Sequence, residues 1–515
     1  MMMIWVVVLP VLLVWVWRTW EKLWLTPRWL ERELRRKGLS GTHYRIFYGD
    51  SKDYVRLSNE ARSRPLPLHC HDIGPRVLPL YHNIIKDHGK ISFTWFGASP
   101  RVNLMDPELV REVLSKKFGH FEKTKSTPFT KYIYQGIIIH EGEKWAKHRR
   151  IINPAFHLEK LKLMAPALSR SCGELIRRWD KMIPDEGYLE LDVFPEIQTF
   201  TQDVISRTAF GSSYEEGRRI FQLLTEKLHL VMPAFNSVYI PGYRFLPTPM
   251  NKKVSQIEKE VERILRGMIE EREKVLRMGA FSKDDLLGML LESNMKEGEE
   301  EHGKSKNRGM STEDVIEECK VFYTAGQETT SVLLTWTMIL LAMYPNWQTK
   351  VREEVLRVFG KNTPDMDGLS RLNIVTMVLY EVLRLYPPGA FLLRKACKTV
   401  EVGGITYPSG MIFLLPILLI HSDQEFWGED AKEFKPERFA EGISKASKVA
   451  GAFLPFSAGP RVCIGQSFAL IEAKIALSMI LQRFSFELSP SYIHAPYNLL
   501  IVQPQHGAQL KLNKL

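Results

Sequence analysis

The chain carries no Asn-x-Ser/Thr acceptor anywhere in its 515 residues, which agrees with a protein kept out of the secretory lumen. Cysteine is sparse. The five residues at 70, 172, 319, 397 and 463 are scattered and odd in number, which argues against a disulfide framework. No two glycines are separated by a single residue, so a Gly-x-Gly-x-x-Gly dinucleotide fingerprint is excluded. No internal repeat is apparent, and no long Gly/Ser linker divides the chain. With 45% hydrophobic and 25% charged residues, the composition is that of an ordinary globular protein with a large core. The net charge of +11 has no aromatic-interleaved basic domain behind it. It points away from nucleic acid and towards an anionic membrane or an acidic protein partner.

Charge is also missing from the start. Met1 to Trp17 hold no charged or strongly polar side chain, and apolar residues resume with Trp20, Leu23, Trp24 and Leu25. A stretch of that length is at the short end for a spanning helix. A cleaved signal peptide would need a basic leading stretch and a small-residue cleavage site, and both are lacking. Trp15, Trp17, Trp20 and Trp24 suit a membrane interface. Arg18, Lys22, Arg28, Arg32, Arg35, Arg36 and Lys37 all follow the segment and none precedes it, which places the bulk of the protein on the cytosolic side. Residues 1–25 are expected to be a transmembrane anchor and 26–45 a basic linker or hinge.

Helical patterns dominate the rest of the chain. Residues 90–105 alternate around Gly97 and Pro100 and read as a hairpin, and the chain turns helical from Glu108. Residues 255–278 carry mixed charge at helical spacing, a solvated helix face. A long helix is expected from Ser311, with Asp314 placed for a capping box, to Tyr344 before Pro345. Further helices are expected over Ile374–Leu385 and Gln466–Phe484. Strands are few: Thr399–Thr406 and a C-terminal hairpin around 485–511. The class is mainly α with minor β.

Two motifs are decoys. Gly298-Glu-Glu-Glu-His-Gly303-Lys304-Ser305 satisfies the Walker A pattern, but three glutamates would repel phosphate and no apolar strand precedes it. His69-Cys70-His71-Asp72 offers metal-ligand types without the separated pairs of a zinc site, and a surface loop is expected there.

Near the C-terminus stands Phe456-Ser-Ala-Gly459-Pro-Arg461-Val-Cys463-Ile-Gly465. A thiolate at Cys463 has the character of an axial haem-iron ligand. Gly459 and Gly465 would let the backbone turn tightly against a porphyrin, and Arg461 is a permanent cation suited to a propionate. This stretch resembles the haem loop of the cytochrome P450 family. Three further stretches resemble that family's motifs in its order: Trp145-Ala-Lys-His-Arg149, then Ala325-Gly326-Gln327-Glu328-Thr329-Thr330, then Glu381-Val-Leu-Arg384 with Pro436-Glu-Arg438-Phe439.

The resemblance implies a single large P450 fold over 46–515, binding haem b with Cys463 as metal ligand. Trp145, Arg149, Arg394 and Arg461 would contact propionates, Ala325 and Gly326 would let the porphyrin approach the long helix, and Phe456 and Gly465 would pack near the thiolate. Thr329 can donate and accept a hydrogen bond at the distal side of the haem, and Glu328 can relay protons from solvent. Thr330 is expected to be a packing residue, and His148 and Arg150 surface residues. Glu381, Arg384 and Arg438 form the implied structural triad.

With no NADPH fingerprint of its own, the chain would use O2 and take electrons from NADPH through a flavoprotein reductase, met by basic residues such as Lys144, Lys147, Arg150 and Lys448. Trp145–Phe156, Asp203–Gly211 and Tyr380–Pro388 resemble a plant clan of the family that oxidises terpenoids. That implies an endoplasmic-reticulum membrane enzyme acting on a triterpenoid, iridoid or diterpenoid. By analogy its apolar pocket draws on 118–140, 228–247, Phe322, Ala325, 389–393 and 499–500. A haem-thiolate isomerase or dehydratase, or a non-enzymatic haem-binding protein, would have less use for the intact Glu328-Thr329 pair.

Overall fold

A helix of 32 residues, Thr312–Met343, crosses the molecule, about 48 Å at the usual rise. Ser311 caps it: its Oγ accepts from the Asp314 amide (3.1 Å) while the Asp314 carboxylate accepts from the Ser311 amide (3.3 Å). Every residue from Thr330 to Met343 is buried, so this half is apolar on all faces and forms the centre of the core. Three of its hydroxyls are satisfied within the helix: Ser331 donates to the Glu328 carbonyl (2.9 Å), and Thr335 and Thr337 each donate to the carbonyl four residues back at 2.7 Å. The computed structural model describes residues 2–116, 119–124, 135–184, 187–211, 214–235, 246–278, 285–299 and 309–515.

Around this rod pack the helices Val193–Phe210, Asn373–Leu385 and Gln466–Leu481. The expected hairpin pairs Ile91 with Leu104 through to Phe96 with Ser99. Gly97 at its tip has φ +57°, a conformation that favours glycine. The hairpin belongs to a six-stranded sheet in the order Ser40–Gly41, Ile91–Phe96, Ser99–Leu104, Ile412–Leu415, Leu392–Ala396, Phe121–Glu122. At the C-terminus Phe484–Leu488 pairs antiparallel with Gln509–Lys514, and Leu189–Asp192 adds a third strand. The stretch read as one strand over Thr399–Thr406 is two short strands, Val400–Val402 and Ile405–Tyr407, because Gly403 and Gly404 both take positive φ and reverse the chain.

The N-terminus is helical from Met2 to Arg36, with one π-type turn at Glu21–Leu25. Pro27 explains the turn: it has no N–H and its ring crowds the carbonyl four residues back. That carbonyl, on Leu23, accepts instead from the Tyr44 hydroxyl at 2.5 Å. The expected transmembrane anchor over 1–25 is not shown. The α-helical register stops at Trp20, and among the described residues no helix is long and apolar enough to cross a membrane. Residues 26–45 are docked rather than loose: Leu34, Leu39 and Tyr44 are buried in the core, and Ser40–Gly41 pairs with the sheet.

Two residues expected at the surface are interior. His148 is 1% exposed, and its Nδ1 lies 2.5 Å from Oε1 of the fully buried Glu318, which also accepts from the Ile137 amide at 3.0 Å. His71, in the decoy His69–Asp72, is 2% exposed. It lies between the hydroxyls of Tyr386 and Tyr344, each at 2.8 Å. The Walker-like stretch runs into residues 300–308, outside the described residues.

Burial, with the nearby His494, pushes His71 down to about 3. Burial and the Arg384 charge do the same to His421. Both rings are therefore neutral in the fold, whereas the unfolded chain takes up these protons near the ordinary value of 6.5. Their contribution is complete above that pH and is lost as pH falls from about 6.5 towards 3, at about 1.4 kcal/mol per pH unit per histidine. Urea unfolding should show stability falling from pH 7 to pH 5, with a shallower slope for His71→Gln; equal slopes would show that His71 is not the titrating group.

Candidate active site

The Cys463 loop is held by close backbone approach. Gly459 has φ +72°, and a Cβ there would stand 2.3 Å from the Leu114 carbonyl oxygen, so glycine is required on two counts. The Cys463 amide donates to the Phe456 carbonyl (2.9 Å), and Arg149 Nη1 donates to the Val462 carbonyl (2.9 Å). The Cys463 side chain is exposed, but into a cavity of about 390 Å³ that Phe456, Arg461 and Gly465 also line. Enclosure by protein raises the thiol; a backbone hydrogen bond from Gly465, then the charges of Arg149 and Lys123, act against it. Gly465 also caps the helix Gln466–Leu481, whose N-terminal dipole favours a thiolate.

The opposite wall is the long helix, through Ala325, Gly326 and Thr329. Gly326 serves packing as well: a Cβ would lie 2.4 Å from Ile205 Cδ1, so its absence lets the helix Val193–Phe210 come close. Thr329 Oγ1 donates to the Ala325 carbonyl at 2.8 Å, which leaves its lone pairs facing the cavity as acceptors. Glu328 is not among the lining residues, and burial pushes its carboxyl up to about 7. Thr330 is 1% exposed and lies against Glu472, a fully buried carboxyl raised well above its ordinary value by burial and hence protonated.

Cations crowd one edge. Trp145, Arg149, Arg461 and Lys123 line the cavity, with the Arg461 guanidinium 4.4 Å from the Trp145 ring centroid. Burial pushes Lys123 down to about 7, helped by the charges of Arg394 and Arg461. Arg394 is 6% exposed and stands behind the lining, held at about 10 by burial and Arg461. Arg461 pairs with Glu141, yet its buried Nη1 has no hydrogen-bond partner among the described residues. Four cations beside one carboxylate call for further negative charge. A flat ring bearing two carboxylates, with a metal that takes a thiolate, fits this donor set.

Comparison with known proteins decides what the group is. The family described as Cytochrome P450 matches residues 68–512. The chain belongs to the cytochrome P450 family. It is 60% identical to cytochrome P450 CYP72A616 of Paris polyphylla, over 96% of this chain and 95% of that one. It is 51% identical to cytochrome P450 72A13 of Arabidopsis thaliana (97% and 96%) and 50% identical to 7-deoxyloganic acid hydroxylase of Catharanthus roseus (99% and 98%). Like other P450 monooxygenases it uses haem b with O2 and electrons supplied by a redox partner, and it binds hydrophobic substrates.

Behind this P450 haem loop the expected triad is present with an added member. Glu381 and Arg384 are each fully buried and form two hydrogen bonds of 2.7 Å. Arg438 Nε stands 3.7 Å from Glu381, but its hydrogen bonds go to the Asp430 carboxylate (3.0 Å) and the Trp427 and Asp430 carbonyls. Sequence reasoning did not find Asp430, Lys123 or Glu472. Lys123 follows a two-residue strand, and no spacing marks any of the three. The pocket expected from one set of segments is two cavities: Phe322, Ala325 and Leu392 line the haem side, Phe391, Leu393, Leu499 and Leu500 a second. Residues 125–134 and 236–245 lie outside the described residues.

Arg384→Lys should keep the charge but lose the planar fork that reaches Glu381 and three carbonyls. It is expected to destabilise the protein by about 3 kcal/mol in urea unfolding, with reduced haem retention. Unchanged stability would show the network to be dispensable.

Proposed function

We propose that this P450 is a membrane-anchored monooxygenase that hydroxylates or further oxidises a plant terpenoid. The observation that carries the reading is the apolar cavity over the Cys463 sulfur, walled by Ile205, Val321, Phe322 and Leu333 and suited to a rigid hydrocarbon skeleton. The Catharanthus relative's name, a hydroxylase of 7-deoxyloganic acid, supports oxidation of iridoid or related terpenoids.

When bound, the haem would supply the dioxygen chemistry, and the Cys463 thiolate would be the residue that holds it. Arg149 holds the loop through Val462, and Arg461, Trp145 and Lys123 would receive the propionates, with Arg394 reinforcing the positive edge. Phe456 and Gly465 shape the thiolate side. On the distal side Ala325 and Gly326 leave room, and Thr329 Oγ1 offers acceptor capacity to an ordered water. Glu328, next in the helix and raised to about 7, can release and regain a proton near neutral pH. Electrons would come from an NADPH-dependent flavoprotein reductase docking near the exposed Arg150 and Lys448.

We also infer that residues 1–25 anchor the chain in the endoplasmic-reticulum membrane as a single pass, with the catalytic domain in the cytosol. Supporting this are the uncharged run Met1–Trp17, the basic residues that follow it, and the exposure of Val11–Trp17, Trp20 and Trp29.

Full-length protein reconstituted with a plant reductase and NADPH should convert members of a terpenoid panel to products one oxygen heavier by mass spectrometry. Thr329→Ala should leave substrate binding in place while product per NADPH falls about tenfold, within the range for a lost proton-delivery group. Unchanged coupling would remove Thr329 from proton delivery, and no product from any terpenoid would overturn the substrate reading.

Deleting residues 1–25 should move much of the protein from the carbonate-resistant membrane fraction to the soluble one, with the haem spectrum retained. Protease added to sealed microsomes should digest the catalytic domain of the intact protein; full protection would reverse the orientation.

A further inference from the structure

A second cavity, of about 440 Å³, lies across the segment Gly389–Leu393 from the haem side. Phe391 and Leu393 face it while Leu392 faces the Cys463 cavity, the alternation of an extended chain. Gly389 lines both, and nothing lies within 4 Å of where its Cβ would stand. It is the one residue that lines both cavities among the described residues.

The two cavities differ in chemistry. The outer one holds Arg101 from the hairpin and Arg62 from the helix Ser51–Arg62, together with Tyr54 and Tyr81. Arg101 is only 6% exposed. Its Nη1 donates to the Tyr81 hydroxyl (3.2 Å) and its guanidinium carbon lies 3.9 Å from the Phe96 ring centroid, but its buried Nε has no hydrogen-bond partner among the described residues. Among the described residues no carboxylate pairs with Arg101 or Arg62. The one acid in the wall, Asp50, is already committed to Arg45 (3.1 Å), the Thr42 hydroxyl (2.6 Å) and the Trp95 amide (2.8 Å). The stretches that continue the chain from the lining residues Thr124 and Pro233, residues 125–134 and 236–245, contain no aspartate or glutamate. Burial pushes the Tyr54 hydroxyl up to about 12, and both arginines pull against that shift, so both charges reach the same place.

A buried guanidinium without a counter-charge is unfavourable unless something supplies one, and a planar fork is suited to a carboxylate. We propose that Arg101 and Arg62 receive the carboxylate of a terpenoid acid, whose apolar skeleton passes Gly389 to reach the Cys463 cavity. This deepens the terpenoid reading above and rests on it. The acid is held at one end, which fixes how far the skeleton extends and therefore which carbon lies over the sulfur.

The test uses purified full-length haem protein and a panel of mono-, di- and triterpene carboxylic acids, each paired with its methyl ester. Kd is read from the ligand-induced shift in haem absorbance. The acid should bind about tenfold more tightly than its ester, the size expected for one charge-assisted pair. Arg101→Gln should abolish that preference while leaving the ester's Kd unchanged, and Arg101→Lys should restore part of it. If Arg101→Gln fails to fold, as judged by the carbon monoxide spectrum, Arg62→Gln decides: a reduced preference supports the site. Equal binding of acid and ester by the unmodified protein, or a preference left undiminished by the Arg101→Gln or the Arg62→Gln change, overturns the proposal. Tight binding of esters alone would overturn it and leave the terpenoid reading standing, whereas no binding by any member would sink both.

Discussion

Arg384 has no access to solvent, and all five of its N–H donors are used. Two go to Glu381, and the rest to the carbonyls of His421, Ala431 and Glu433. Glu381 in turn accepts from the Lys435 amide at 2.9 Å. One helix residue pair thereby holds four separate points, at residues 421, 431, 433 and 435, of a stretch with little regular structure of its own. His421, whose carbonyl is held by Arg384, uses its ring to accept from the Leu454 amide at 2.9 Å, two residues before Phe456. A buried ion pair of this kind is weak as a source of net stability but costly to break from one side. Its value here lies in position, since the cysteine loop is anchored through it.

The site is then an encounter between that loop and the centre of the long helix. The loop brings a thiol to the N-terminus of one helix, and the long helix presents small side chains and a threonine opposite. Between them Arg149, Arg461 and Lys123 concentrate basic side chains along one edge, where the buried Arg461 Nη1 has no hydrogen-bond partner among the described residues. The outer cavity repeats this logic with Arg101 and Arg62. In both places a buried arginine nitrogen, Nη1 of Arg461 and Nε of Arg101, has no hydrogen-bond partner among the described residues.

Much of this was legible along the chain. The capping box at Ser311, the hairpin around Gly97 and the helix ending at Leu385 depend on neighbours within a few residues, and each stands where the local pattern puts it. Cys463, Thr329, Trp145 and Arg149 carry motifs dense enough to single out, and the structure brings them to one cavity. The misreadings have two causes. His71 and His148 look like surface histidines because their partners, Tyr344, Tyr386 and Glu318, lie far away in sequence. Thr399–Thr406 looks like a single strand because its apolar alternation hides a reversal at paired glycines.

The sequence by itself determined the helical class, the motifs around Cys463 and Thr329 and the uncharged beginning of the chain, because each rests on residue chemistry or on short-range periodicity. Only the tertiary structure decided that Lys123 joins the cationic edge, that Asp430 takes the hydrogen bonds of Arg438, and that Gly326 makes room for Ile205. It also set two cavities either side of Gly389 and left Arg101 buried with no carboxylate paired to it among the described residues. Those outcomes depend on which distant segments exclude water together, and burial is a property of the packed chain that no local stretch encodes.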